Sequence, residues 1–233
     1  MATNTESMQI RRRQMVREQL IERGIKDPQV LRAMGEVQRE RFVPAKYSES
    51  AYADTPLPIE ENQSISQPYV VAWMTEMLQL SANDRVLDIG TGSGYAAAVI
   101  SRIAAEVYTV ERHENLTRFA QDRFKKLGYQ NIHVRLGDGT LGWPEKAPYD
   151  AIVFAAAAPK VPEPLLAQLA IGGRLVGPVG SNPEVQQLIR VRHVGEDDYR
   201  LEHFHGNAEA VRFVPLVGEK GWKDFPKSTK QSQ

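Results

Sequence analysis

The chain has 233 residues, 29 Lys+Arg against 29 Asp+Glu, 42% hydrophobic and 25% charged residues, and no cysteine. That composition excludes a wholly disordered chain, and the length suits one large α/β domain. Zero net charge argues against a dedicated nucleic-acid binder, whose phosphate contacts leave a basic excess, and the lack of cysteine excludes disulfides, thiolate metal sites and Cys nucleophiles.

The first residues carry no apolar h-region. Arg11, Arg12 and Arg13 are followed by Gln14, Arg17 and Glu18, where a twin-arginine signal needs an apolar run. The longest apolar stretch, residues 151–158, stops at Pro159, far short of the ~20 residues of a membrane span. A cytoplasmic monomer without nucleic-acid or membrane partners is expected, in which the sequons at Asn62 and Asn115 go unused.

Residues 8–23 have helical spacing through Ile10, Met15, Leu20 and Ile21, with Gly24 as a stop. Asp27 and Pro28 are a cap followed by proline at the first helical position, opening a helix with Val30, Leu31, Met34 and Val37. Residues 42–68 lack periodicity, and a long irregular segment in a compact domain is usually functional. Helical spacing returns over 69–80.

From Arg85 strands and helices alternate: strand 86–89, helix 95–105, strand 107–110, helix 114–127 and strand 132–136. Strand 150–154, helix 163–170 and strand 174–176 follow. This rhythm predicts an α/β, doubly wound Rossmann-like sheet, mostly parallel and covered on both faces. Strands at 187–193, 199–204 and 212–217 are expected to add antiparallel edges. The division reads as N-terminal helices and an irregular loop over 1–80, a core over 81–218 and a mobile tail over 219–233, all in one folding unit.

The strongest local signal is Val86-Leu87-Asp88-Ile89-Gly90-Thr91-Gly92-Ser93-Gly94-Tyr95. A glycine-rich turn between a strand and its helix lets a ligand approach the backbone, because no Cβ intervenes. A dinucleotide G-x-G-x-x-G needs glycine at 95, where Tyr95 stands, so the turn reads G-x-G-x-G. Asp88 offers a carboxylate to a cationic ligand group. Glu111 ends the second strand of the core, placed to accept from both ribose hydroxyls, though NAD enzymes share an acid there. Asp138, between Gly137 and Gly139, follows the third strand; alone, the tripeptide is a plain Asp-Gly turn. All three end successive strands, where ligands bind in open α/β sheets.

The turn resembles motif I of class I S-adenosylmethionine-dependent methyltransferases, a resemblance that implies a meeting of Asp138 with the adenine amino group. Over roughly residues 10–218 the chain resembles the protein-L-isoaspartate (D-aspartate) O-methyltransferases. Gln63-Ser64-Ile65-Ser66-Gln67-Pro68-Tyr69 is similar to that family's Q-[TS]-I-S-x-P-[HY] signature. Gly137-Asp138-Gly139 with residues 147–152, Ala156-Ala157-Ala158-Pro159, residues 172–180 and residues 211–216 resemble its later blocks. Ser64 stands where Thr is common, Ala155 where Gly is frequent, and Glu60-Glu61-Asn62 where a Gly-containing stretch is usual. The acidic pair is expected to affect peptide preference, not the reaction.

The resemblance implies methyl transfer from S-adenosylmethionine to the α-carboxylate of L-isoaspartyl residues in damaged proteins and peptides, with S-adenosylhomocysteine as product. The alternative is the same cofactor used on another small-molecule or peptide carboxylate. The implied catalytic residue is Ser66, orienting the carboxylate and not acting as a nucleophile. Implied cofactor contacts are Asp88, Gly90, Thr91, Gly92, Ser93, Gly94, Glu111, Arg112, Asp138 and Gly139; Ser64, Ile65, Val214 and Pro215 would meet the peptide. No metal is expected, since His203 and His205 share a strand face without a third donor.

Overall fold

The structure is a computed structural model that describes residues 4–182, 185–203 and 213–223. Helix α1 (Asn4–Gln14) runs directly into a π-helical segment, Met15–Ile21. Glu22 N–H donates to Arg17 O and Ile25 N–H to Leu20 O, both five-residue steps. The widened turn brings Leu20 beneath Met15, and both are buried. Ile10 and Ile21, expected on the apolar face, are instead 58% and 49% exposed. Met15 and Leu20 are buried as expected; a 3.6-residue period cannot register a widened turn, so Ile21 falls outside the face it was read onto.

Helix α2 (Pro28–Glu36) starts as expected: Asp27 Oδ1 accepts from the N–H groups of Gln29 and Val30 at 2.8 and 3.3 Å. The aperiodic segment that follows holds 3₁₀ turns and a small antiparallel ribbon, β1 (Leu57–Pro58) with β2 (Ser64–Ile65). Arg39 in this segment is fully buried, donates from Nε to Ala51 O at 2.7 Å, and lies 4.8 Å from the Tyr95 ring centroid. Burial pushes its pKa down. Helix α3 (Pro68–Leu78) closes the N-terminal layer.

The main sheet holds β3 (Arg85–Ile89), β4 (Glu106–Glu111), β5 (Ile132–Leu136), β6 (Tyr149–Phe154), β7 (Leu169–Asn182), β8 (Val185–Gly195) and β9 (Asp198–His203). Its order is β5-β4-β3-β6-β7-β8-β9, with β8 antiparallel to both β7 and β9 and the other pairs parallel. Helices α4 (Tyr95–Ile100), α5 (Glu114–Leu127) and α6 (Glu163–Leu166) connect the strands. The doubly wound expectation holds. No helix among the described residues is long and apolar enough to cross a membrane.

Several elements depart from their expected bounds, β7 among them, which runs well beyond 174–176 at both ends. Helix α4 stops at Ile100, short of 105: Ser101 Oγ donates to Ala98 O, and Asp84 O accepts from Ala105 N–H. Helix α6 stops at Leu166 because Tyr149 N–H already bonds Gln168 O and pairs Leu169 into β7, which swallows Gly172 and Gly173. The strand expected over 212–217 forms no ladder. Pro215 and Val217 make isolated bridges to Ala157 and Trp222, and a proline cannot donate to extend one. Arg212, Phe204 and His205 lie outside the described residues.

The sheet separates two cores. Val86, Val107, Ala151 and Val153 face the layer of α1 to α5, while Leu87, Ile89, Val110, Ile152 and Phe154 face Leu165 and Leu216. Alternation puts Asp88 and Thr109 on the first face among these apolar side chains, with Glu111 two residues beyond Thr109.

Candidate active site

β4 and β6 flank β3, so the chain turns opposite ways on leaving the middle of the sheet, which opens a crevice at the strand ends. A cavity of about 810 Å³ occupies that crevice. Residues 89–93 form its floor and residues 110–113 one side; residues 62–66 and 214–217 bring the N- and C-terminal segments against it.

The glycine turn needs its glycines. Gly90, Gly92 and Gly94 have φ of 94°, 51° and 88°, a region that L side chains avoid. A Cβ on Gly94 would also fall 2.6 Å from Phe124 Cζ of α5.

Glu111 ends β4 at 5% exposure and lines the cavity. Its Oε2 accepts from Gly92 N–H at 2.9 Å and its Oε1 from His113 N–H at 3.0 Å. Each carboxylate oxygen has two lone pairs, so acceptor capacity remains on both. Arg112, His113 and Gly139 join the lining, as expected of Arg112 and Gly139.

Asp88 is placed differently from its expected direct contact. It is fully buried and does not line the cavity. Its Oδ2 accepts from Thr109 Oγ1 at 2.8 Å, its Oδ1 has no partner, and Thr109 Oγ1 lies 2.7 Å from Thr91 Oγ1. Burial pushes its carboxyl up to about 7, against the Thr109 bond and helped by Glu111.

Asp138 is also turned away from the cavity lining. Its Oδ1 accepts from Thr140 N–H and Oγ1–H at 2.8 and 2.7 Å, and its Oδ2 accepts from Glu219 N–H at 2.7 Å. The Asp-Gly turn describes it locally. Glu219 and Lys220, assigned from sequence to a mobile tail, are thus bonded to the core, as is Trp222, whose Nε1–H donates to Ala157 O at 3.0 Å. Residues 224–233 lie outside the described residues.

Ser66 lines the cavity half-buried, with Ser64 and Ile65 of β2 beside it and Val214 and Pro215 also on the wall. Ala157 N–H donates to Val214 O at 2.7 Å, and Leu216 N–H to Ala157 O at 2.8 Å, fixing that C-terminal stretch. Glu61 and Asn62 have φ of 56° and 55°. That backbone accounts for glycine being usual here, and Glu61 is steadied by Asn115 Nδ2, which donates to its Oε1 at 2.6 Å.

Sequence reasoning missed Thr109 and Arg123, whose Nη1–H donates to Ser93 O at 2.6 Å. Thr109 had a visible signal: a hydroxyl at an inward position of a central strand. Arg123 had none, being one of several cations on α5.

The sequence model of the protein-L-isoaspartate(D-aspartate) O-methyltransferases matches residues 11–221. The chain belongs to that family. It is 62% identical over 216 residues to protein-L-isoaspartate O-methyltransferase 2 of Pelobacter propionicus, covering 93% of this chain and 94% of that one. A solved protein-L-isoaspartate O-methyltransferase superposes with a TM-score of 0.74 at 30% identity, covering 90% of this chain and 67% of its own. A second, a putative Plasmodium falciparum family member in complex with S-adenosyl-L-homocysteine, gives 0.72 at 24% identity over 88% of this chain and 98% of its own, which speaks for the fold alone. The glycine turn of motif I and Ser66 of the Gln63–Tyr69 signature line a single cavity here.

Proposed function

We propose that the cavity binds S-adenosylmethionine along the glycine turn and Glu111, and presents an L-isoaspartyl carboxylate at Ser66. The reaction is methyl transfer to that α-carboxylate in damaged proteins and peptides, giving an ester that later collapses to a succinimide. The observation that carries the reading is that Ser66 and Glu111 line one cavity. The residues suit the cofactor: Gly90 leaves open space where a Cβ would stand, and Glu111 keeps acceptor capacity for a ribose diol.

When bound, S-adenosylmethionine supplies a methyl group on a cationic sulfonium. The acceptor carboxylic acid, with a pKa of roughly 3–4, is already ionised at neutral pH, so no general base is required. Ser66 is the side chain that orients it. No hydrogen bond engages the Ser66 hydroxyl among the described residues, leaving its proton free to donate to a carboxylate. Ile65, Val71 and Leu216 bring apolar surface to the same cavity, which excludes water as an anion and a cation neutralise each other. Peptide recognition falls to Ser64, Ile65, Val214 and Pro215, with Asp88 supporting the cofactor side through Thr109 and Thr91, and Asp138 by bracing the turn that carries Gly139. We place the enzyme in the cytoplasm as a monomer acting without nucleic acid or membrane.

Ser66→Ala should leave S-adenosylhomocysteine binding nearly unchanged while lowering kcat. One hydrogen bond to a charged group is worth about 1.5–3 kcal/mol, or roughly ten- to two-hundred-fold. Saturated turnover and product affinity, measured separately, check this. Wild-type kcat in the variant would reduce Ser66 to a loop residue.

A further inference from the structure

Asp88 is sealed from the cavity, yet its charge has a route there. Thr109 Oγ1 lies 2.8 Å from Asp88 Oδ2 and 2.7 Å from Thr91 Oγ1, and Thr91 is in the cavity wall. A hydroxyl carries one proton, so a chain of this kind has a direction. With Asp88 ionised, Thr109 donates to Asp88 and Thr91 donates to Thr109, leaving only lone pairs of Thr91 for the cavity. With Oδ2 protonated, Asp88 donates to Thr109, Thr109 donates to Thr91, and the Thr91 proton is released towards the cavity. One buried proton thereby converts Thr91 from an acceptor into a donor.

From this geometry we propose that Thr109 is a positioning residue that relays the charge state of Asp88 to Thr91, so that the ammonium end of the cofactor binds more tightly when Asp88 is ionised. The proposal rests on the S-adenosylmethionine reading of the cavity. It gives Asp88 a role without the direct contact that its burial denies it. Burial holds this carboxyl near 7, so the switch falls in the range where a cell works.

The surroundings leave few other titrating groups. On β4 the same face carries Glu111, which also raises Asp88. β6 presents Ala151 and Val153. From α3, Glu76 accepts from Lys26 and Asp27 N–H instead. Arg123 of α5 bonds Ser93 O, and Arg39 lies over Tyr95 of α4. His113 lines the cavity and needs its own control.

The test is calorimetric titration of S-adenosylhomocysteine into the full-length enzyme between pH 5.5 and 8, with no turnover involved. Wild-type affinity should rise with pH through about 7, tenfold for each unit by which binding lowers the Asp88 value. Protons should be released on binding, read from buffers of different ionisation enthalpy. Thr109→Val should bind weakly and with a flat pH profile, and Thr109→Ser should restore both affinity and slope. His113→Asn should keep the slope. Should Thr109→Val fail to fold, Thr91→Ala, which leaves Asp88 and Thr109 bonded, should flatten the profile in its place. A flat wild-type profile, or a wild-type slope in Thr109→Val or Thr91→Ala, would overturn the relay. Absence of binding at every pH would instead refute the cofactor reading.

Discussion

Glu111→Ala should weaken S-adenosylhomocysteine binding by roughly 10²–10³-fold, the loss of about 3–4 kcal/mol from two charge-assisted hydrogen bonds. The carboxylate is anchored from behind by Gly92 and His113 N–H, so its remaining lone pairs face the cavity in a fixed direction. Its loss removes both the ligand's acceptor and the pin that holds Gly92. Thermal shift gives the cleanest reading: ligand at a hundred times the wild-type Kd stabilises the wild type by about 2.7 kcal/mol. The variant should show almost none of that shift. Affinity within threefold of wild type would place the ribose elsewhere.

Gly94→Ala should destabilise the fold by about 2–5 kcal/mol. Part of this is the left-handed backbone, φ 88°, which costs an L side chain about 1–2 kcal/mol. The rest is overpacking of about 1–3 kcal/mol, since the new Cβ meets Phe124 Cζ at 2.6 Å and Cε1 at 2.9 Å. Gly128→Ala separates the two contributions. Gly128 has φ 75° with nothing within 4 Å of its Cβ position, so its cost should be about 1–2 kcal/mol. Phe124→Leu in the Gly94→Ala background should recover the packing part alone. Urea unfolding of the four proteins decides it; equal costs at 94 and 128 would mean that α5 yields freely.

Legibility followed the range of the forces involved. The Asp27 cap, the span of α5 and the bounds of β5 are set by neighbours a few residues away, and all three read correctly from sequence. The glycine turn was legible because φ above zero leaves a residue-type signature. The failures were tertiary. Ile21, read onto one face with Leu20, is turned outward at a π turn that only packing selects. Residues 212–217 look like a strand, but in their described part Pro215 and the Ala157 bridge make a tether.

At the site, residue type gave the chemistry and missed its direction. Asp88 and Asp138 end the expected strands, yet each turns its carboxylate to a threonine: Thr109 from the adjacent strand, Thr140 two residues on. The Asp138 contact was foreseeable from the Asp-Gly turn, since such caps are local. The Asp88 contact depends on the register that sets Asp88 opposite Thr109, a long-range fact. Trp222 reaches the back of the site through a bond to Ala157 O that no local pattern announces.

The most direct measurement pairs labelled S-adenosylmethionine with two peptides that differ only in whether one aspartyl residue is linked through its β- or α-carboxyl. The twins differ by the place of one methylene, so discrimination rests on setting the carboxylate in line with the methyl group. Each 1.4 kcal/mol of misplacement, roughly, costs tenfold in rate. Base-labile methyl ester should accumulate on the isoaspartyl peptide and hardly at all on its normal twin. Equal labelling of the two would contradict the account and leave a methyltransferase for some other carboxylate.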